Sequence, residues 1–324
     1  MKNVFSVAIA FIIHLYATPL FAAPYVTNVV AKQRYPWGIV DISCEVKGLE
    51  EKDKGLEFTI DAVSSNSGIT NKTSHVYFRG DKTSGLEVTT NGIYRFVWNA
   101  NKDIWVCHNN NMIIRVGIVQ AKVQLWEDGP YWATRNVGAN EPWESGYYFW
   151  WGDTIGYKRE NNKWVASDGS SSNFSFKDSN TPTYGKDIST LQSEGWITAE
   201  GVLAPEHDAA KKHCGGDWRM PTKQEFGELN NKCDWSWTTM NGVAGYVVRG
   251  RGDYASASIF LPCAGDGYGA SLSNAGSSGY YWSSVPGSDN SNAWLLHFAS
   301  SAHYTGGNGR YSGQSVRPLQ GFTK

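Results

Sequence analysis

Residues 215–229 of this 324-residue chain read Gly-Gly-Asp-Trp-Arg-Met-Pro-Thr-Lys-Gln-Glu-Phe-Gly-Glu-Leu, and no other stretch constrains the fold as much. The Trp-Arg-Met run stops at Pro221. Thr222 followed three residues later by Glu225 is a capping-box pattern, so the spacing predicts an extended segment that turns into a helix here. Phe226 and Leu229 then share one helical face, a turn apart, where they can pack against a sheet. The aromatic residues that could line such a core are unevenly distributed: twelve of the fifteen tryptophans lie beyond Lys122. About 300 residues built this way predict two domains with differently made cores.

Residues 1–23 carry an early cation, Lys2, then an apolar run from 4 to 15, and end in small residues at Ala22 and Ala23, the pattern of a secretory signal peptide over 1–22. A membrane-spanning helix needs about 20 apolar residues, and His14 and Pro19 cut the run short. Cleavage is expected after Ala22, because Pro24 disfavours the next bond. The expected location is therefore secreted, cell surface or periplasm, with no membrane span after signal removal. A formal net charge of −1 gives no electrostatic footprint for nucleic acid.

Residues 23–122 read as an all-β sandwich, immunoglobulin-like or fibronectin-like. Strand-forming runs fall at 39–46, 56–63, 75–78, 92–98 and 112–119, and Phe58, Ile60 and Ala62 alternate with Thr59 and Asp61. Cys44 and Cys107 lie on or beside these runs. An inter-sheet disulfide suits an oxidising compartment, and two reduced, buried thiols suit the pattern equally.

Beyond residue 122 several motifs follow in order. They are Trp-Ala-Thr-Arg-Asn-Val-Gly-Ala at 132–139, Gly-Tyr-Tyr-Phe-Trp-Trp-Gly-Asp at 146–153, a Pro-Glu-His-Asp helix start at 205, and residues 215–229. Ser-Ile-Phe-Leu-Pro-Cys-Ala-Gly at 258–265, Gly-Tyr-Tyr-Trp-Ser-Ser at 279–284 and Gly-Gln-Ser-Val-Arg-Pro at 313–318 complete the set. Together they resemble the Fibrobacter succinogenes major paralogous domain, a family related to C-type-lectin-like folds. The resemblance implies an α+β class: a C-type-lectin-like domain over 123–324, preceded by the all-β immunoglobulin-like sandwich. It implies a small twisted sheet flanked by two helices, with function sited in the loops. The family has no generally established activity. The Ser-, Asn- and Asp-rich stretch 157–183 reads as a long surface loop.

The motifs do not assemble a catalytic constellation. The formylglycine-generating enzyme, a distant relative by fold, oxidises with a cysteine pair, whereas Cys263 is the last cysteine here and stands alone. Glu206, His207 and Asp208 are adjacent and point in different directions on a helix. His213, His297 and His303 lack metal-ligand spacing, and no calcium-lectin motif is present, so no cofactor and no metal are expected. Two Arg-Gly-Asp tripeptides, at 79–81 and 251–253, read as turns. Some family members pair a cysteine at the position of Cys214 with one that Pro318 replaces here. A Cys214–Cys233 bridge across the central helix segment is expected instead.

Trp132, Trp218 and Trp282 lie inside the family motifs and read as core. Arg317 reads as an anchor partnered by Asp217 or Glu225. Residues outside the motifs, in the last loops, are the expected recognition set: Tyr268, Asn290, Asn292, His303, Tyr304, Asn308, Arg310 and Tyr311. Tyr supplies contact area at small entropic cost, and Asn and Gly supply adaptable hydrogen bonding; an ordinary solvated loop set is the alternative. The expected protein is a non-catalytic bacterial binding protein, with a glycan or a cell-surface protein as partner. An enzyme on the same fold, or a structural surface or matrix protein, are the competing classes.

Overall fold

The computed structural model describes residues 24–34, 38–50, 53–64, 70–72, 76–78, 86–103 and 112–322. The expected signal peptide, Cys107 and the first Arg-Gly-Asp lie outside them. The chain divides into two compact units, the first ending at Ala121 and the second running from Lys122 to Lys324.

In the first unit one antiparallel sheet runs in the order Tyr25–Gln33, Ile39–Lys47, Gly92–Asn99, Val76–Phe78. A second is built on Leu56–Ser64, which pairs with Met112–Gln120, Thr70–Lys72 and Glu87–Val88. Period-two alternation sends Ile42, Cys44 and Val46 from one sheet and Phe58, Ile60 and Ala62 from the other into one core. There Phe58 meets Tyr94 and Phe96 edge-on, at 4.8 and 4.9 Å. Cys44 is a free thiol, and burial pushes its pKa up to about 12.

The second unit corrects the α+β expectation. Among the described residues 47% are strand and 13% helical, and the second unit's strands form five separate sheets of two to four strands. The class is therefore mostly β with many small sheets, and a C-type-lectin-like fold is not shown. The helix signals are real but short. Thr222 does cap the Lys223–Lys232 helix, accepting from the Glu225 amide at 3.2 Å while the Glu225 carboxylate accepts from the Thr222 amide at 2.9 Å. Elsewhere Gly, Asn and Ser interrupt the aromatic runs every few residues, which favours tight hairpins over longer helices.

The central sheet consists of Ser278–Pro286, Asn292–Ala299 and Ala302–Gly309. Tyr281, Leu296 and Phe298 on one face pack into a cluster with Trp132, Phe226 and Leu229. Trp282, Ala293 and Leu295 on the other join Phe149, Trp151 and Val316. Residues 157–183 are not a surface loop throughout. They contain a hairpin, Tyr157–Glu160 with Lys163–Ala166, and bury Trp164 and Phe176 completely against Tyr148.

Arg317 is an anchor, but with different partners. Fully buried, it donates to Asn136 Oδ1 (2.9 Å) and to the carbonyls of Ala133 (3.0 Å) and Phe260 (2.8 Å). Burial pushes its pKa down to about 10. Glu225 pairs with Arg219 instead. The Cys214–Cys233 bridge is also corrected: Cys214 is exposed, while Cys233 is a buried free thiol. The ten-residue Lys223–Lys232 helix lies between them, about 15 Å of rise, and bridged Cα atoms lie within about 7 Å. Arg251 of the second Arg-Gly-Asp caps that helix's end, donating to the carbonyls of Asn231 and Cys233, each at 2.9 Å, and to Asp234.

Candidate functional site

The strands separate the expected recognition residues into three groups. The first is a row across the central sheet. Register sets Tyr280 opposite His297 and His297 opposite Tyr304, and directly opposed residues hold their Cβ atoms within about 5.5 Å. The three rings therefore stand in line on one face, with centroids 4.6 and 4.9 Å apart. Tyr304 is 52% exposed. At the end of the row, the Asp266 carboxylate accepts from Asn274 Nδ2 at 3.1 Å, and Asn274 Nδ2 also reaches the Tyr280 hydroxyl at 3.4 Å. Burial lowers the His297 pKa against the pull of Asp266, and burial raises that of Asp266.

The second group is a corner of tyrosines. Tyr268 stands two residues after Asp266 on the short Asp266–Tyr268 strand, so both point to the same side. The Tyr268 ring meets Tyr311 at 5.9 Å and 62°, and Tyr311 meets Tyr184 at 5.3 Å and 64°. Tyr268 is 62% exposed. A Cβ at Gly309 would lie 2.8 Å from the Tyr311 ring, so only glycine lets this ring lie down on the strand. The Asp266–Tyr268 strand contributes to both groups: Asp266 accepts from Asn274, which also reaches the Tyr280 hydroxyl, and the Tyr268 ring meets Tyr311.

The remaining expected residues contribute no ring to either group, since the His303 ring lies on the other sheet face, and two of them correct the expectation. Arg310 is fully buried. It donates to the carbonyls of Asn292 (2.9 Å), Thr183 (2.8 Å), Lys186 (2.7 Å) and Asp289 (3.1 Å), and its guanidinium lies 5.2 Å from the Trp151 ring centroid. It ties loops together and has no ligand-facing donor. His303 is on the opposite sheet face from Tyr304, stacked on Trp235 at 4.2 Å and 3.0 Å from Asn230 Oδ1. Asn292 donates backbone and side-chain N–H groups to Asp289. The carbonyl of Asn290 accepts from the Gly185 amide, and Asn308 Oδ1 accepts from the Gly309 amide. These asparagines shape the turns that support the tyrosines.

Sequence reasoning missed Tyr184, Asp266, Tyr280 and His297. Alternation within 280–284 and 293–299 places Tyr280 beside Trp282 and His297 beside Leu295. The register of those two strands makes them neighbours, and Tyr304 joins them only through a third strand, 302–309, whose Gly-Gly-Asn-Gly sequence reads as loop.

The exposed rings of Tyr268 and Tyr304, with a carboxylate and an amide nearby, can stack on apolar C–H surface while Asp266 and Asn274 hydrogen-bond hydroxyl groups. Among the described residues no cluster of three or more His, Cys, Asp or Glu is placed to hold a metal ion. Two buried carboxyls, Asp153 and Asp208, are occupied with backbone amides. Asp153 accepts from Ile155 and Gly156 at 2.9 and 3.0 Å, and Asp208 from Lys211 and Met220 at 2.9 and 2.8 Å.

Residues 222–319 match a family described as a domain of unknown function (DUF8237). The match spans 98 of the chain's 324 residues and takes in the capped helix, the central sheet and both aromatic groups' strands. No curated protein and no solved structure matches the chain.

Proposed function

We propose that this chain is a non-catalytic recognition protein of a bacterium, exported to the cell surface, the periplasm or the medium, whose second unit binds glycans through the tyrosine surface. The observation that carries the reading is that each aromatic group presents a strongly exposed ring, Tyr304 in the Tyr280–His297–Tyr304 row and Tyr268 in the Tyr184–Tyr268–Tyr311 corner, with Asp266 and Asn274 beside them. Exposed aromatic rings have a desolvation incentive to find an apolar face, and sugar rings offer C–H faces bordered by hydroxyls that Asp266 and Asn274 can engage. The apolar segment at 1–22 and the motif resemblance to the Fibrobacter succinogenes major paralogous family support export and a surface role. The reading invokes no cofactor and no nucleic-acid partner, and leaves the first unit as a spacer that presents the second.

The test is a glycan array, with a parallel panel of cell-surface proteins, probed with the full chain and with Tyr304→Ala and Tyr268→Ala. Glycan spots should bind the native chain and fade in both variants. Binding confined to the protein panel, or glycan binding untouched by either substitution, would refute the placement.

A further inference from the structure

The hairpin that follows the capped helix leaves one sheet edge open. Asp234–Met240 pairs with Val243–Arg249 in unbroken register, and Val243–Arg249 with Ser258–Pro262, so Asp234–Met240 ends a three-stranded sheet. The opposite edge is closed: Ile259 to Pro262 are buried, and the carbonyls of Phe260 and Pro262 accept from Arg317 and from the Tyr281 hydroxyl. Among the described residues no main-chain bond from another element reaches the outer side of Asp234–Met240. The ladder fixes which groups lie there. The Cys263 amide donates to the Ala244 carbonyl, one step past the Gly245–Pro262 pair. Bonded positions alternate along an antiparallel ladder, so Ala244, Tyr246 and Val248 turn their main-chain groups to Ser258–Pro262, and Val243, Gly245, Val247 and Arg249 turn theirs to Asp234–Met240. Asp234, Ser236, Thr238 and Met240 take those bonds. The N–H and C=O groups of Trp235, Trp237 and Thr239 therefore point outward. Edge strands are commonly guarded by Lys, Pro or a bulge. This one, Asp-Trp-Ser-Trp-Thr-Thr-Met, has none of them, and past Asp234 it is uncharged and rich in strand-forming residues. Trp237, 37% exposed, meets Tyr246 edge-on at 5.1 Å and stands at the middle of the open row.

We propose that a second copy of this chain adds its own Asp234–Met240 strand to this edge, antiparallel about a two-fold axis at Trp237, so that two three-stranded sheets become one continuous sheet. The outward groups are symmetric about Trp237, so each copy supplies the donors and acceptors that the other lacks, the condition for an isologous contact. Trp237 faces its own counterpart, Trp235 faces Thr239, and Ser236 faces Thr238. Asp234, the strand's one charge, faces Met240 and already holds Arg251, so no like charges are opposed. The exposed indoles of the two copies meet at the axis, which a strand without a central aromatic residue cannot offer.

Pairing of single strands lies at the small end of specific interfaces. The mass of the full chain in sedimentation equilibrium should therefore climb from monomer towards dimer as its concentration is raised about a hundredfold from the low micromolar range. Over the same range amide hydrogen exchange, read by NMR, should slow severalfold at Trp235, Trp237 and Thr239, while Ser236 and Thr238, already bonded within the hairpin, keep their rates. Trp237→Lys opposes two cations at the axis, and Thr239→Pro removes an N–H that the hairpin does not use. Both variants should stay monomeric with melting temperatures near that of the native chain; if either fails to fold, exchange in the native chain decides alone. A chain that stays monomeric throughout overturns the proposal. So does a dimer that leaves those three amides unprotected, or that both variants form as readily, since it uses another surface. A monomer whose three amides slow only on addition of a Thr-Val-Thr-Val-Thr peptide assigns the edge to a foreign strand, and the second-copy assignment falls.

Discussion

Trp282 and Tyr304 stand on the same face of the central sheet, two strands apart, and position alone separates their roles. Trp282 is fully buried and donates its indole N–H to the Phe149 carbonyl at 2.8 Å; Tyr304 leaves half its surface in solvent. Trp282→Ala should therefore destabilise the unit by about 3 to 5 kcal/mol through the cavity it leaves, whereas Tyr304→Ala should stay within about 0.5 kcal/mol of the native chain. Urea denaturation of both variants checks this, and equal losses would mean that the row is core and not binding surface. A different residue sets a pH dependence. Burial raises the Asp153 carboxyl to about 6, against the pull of the Ile155, Gly156 and Thr154 amides. Since the folded pKa lies above the ordinary 3.8, the folded state holds this proton more tightly than the unfolded chain does. Its contribution is fully present below pH ~4 and lost as pH rises through about 6, amounting to about 3 kcal/mol across that window. Asp153→Asn stays neutral throughout. Its melting temperature minus that of the native chain should therefore climb between pH 4 and pH 7, and a difference flat across that range would contradict the assignment.

Among the elements, the helix Lys223–Lys232 owes its start to one side chain. Thr222→Ala removes the hydroxyl that accepts from the Glu225 amide, and should cost about 1 kcal/mol. Thr222→Ser should restore most of it, and a melt that leaves alanine and serine variants indistinguishable would show that packing of Phe226 and Leu229 alone holds the helix. This helix start was legible because a cap is local: Thr222, Glu225 and Phe226 lie within five residues. The strand Ala302–Gly309 was not legible, because its Gly-Gly-Asn-Gly segment has little intrinsic strand preference and is held by pairing with Asn292–Ala299. That single element decides which expected site residues meet. It brings Tyr304 to His297 and turns His303 to the other face, since neighbouring strand positions point oppositely. Arg310 was misplaced for a related reason: sequence shows a polar residue among Tyr, Gly and Asn, and only the fold reveals four carbonyls converging on it. The helix signals around 205 and 222 do not amount to the α+β plan that the resemblance implies, since each marks one short helix among many small sheets.

For the whole molecule, the question is whether the second unit needs the first in order to fold. Three apolar clusters lie within Lys122–Lys324, and the buried guanidinium groups of Arg310 and Arg317 find all their acceptors inside it. Those two cations are the most demanding groups in the unit, because a buried charge without its acceptors costs several kcal/mol. Strands from both ends also pair: Tyr131–Ala133 and Trp218–Arg219 both bond to Leu319–Gln320, which closes the unit on its own C-terminal strand. A chain of residues 122–324 should then melt cooperatively, with near-ultraviolet circular dichroism from its packed tryptophans, and should reproduce one of two transitions in the full chain. A fragment stopping at residue 317 loses Leu319–Gln320, and with it the strand on which both ends of the unit pair. It should show a broad transition and weak near-ultraviolet signal. If residues 122–324 themselves melt without cooperativity while the full chain melts in one step, the two units share a folding unit and the boundary at Ala121 is geometric only.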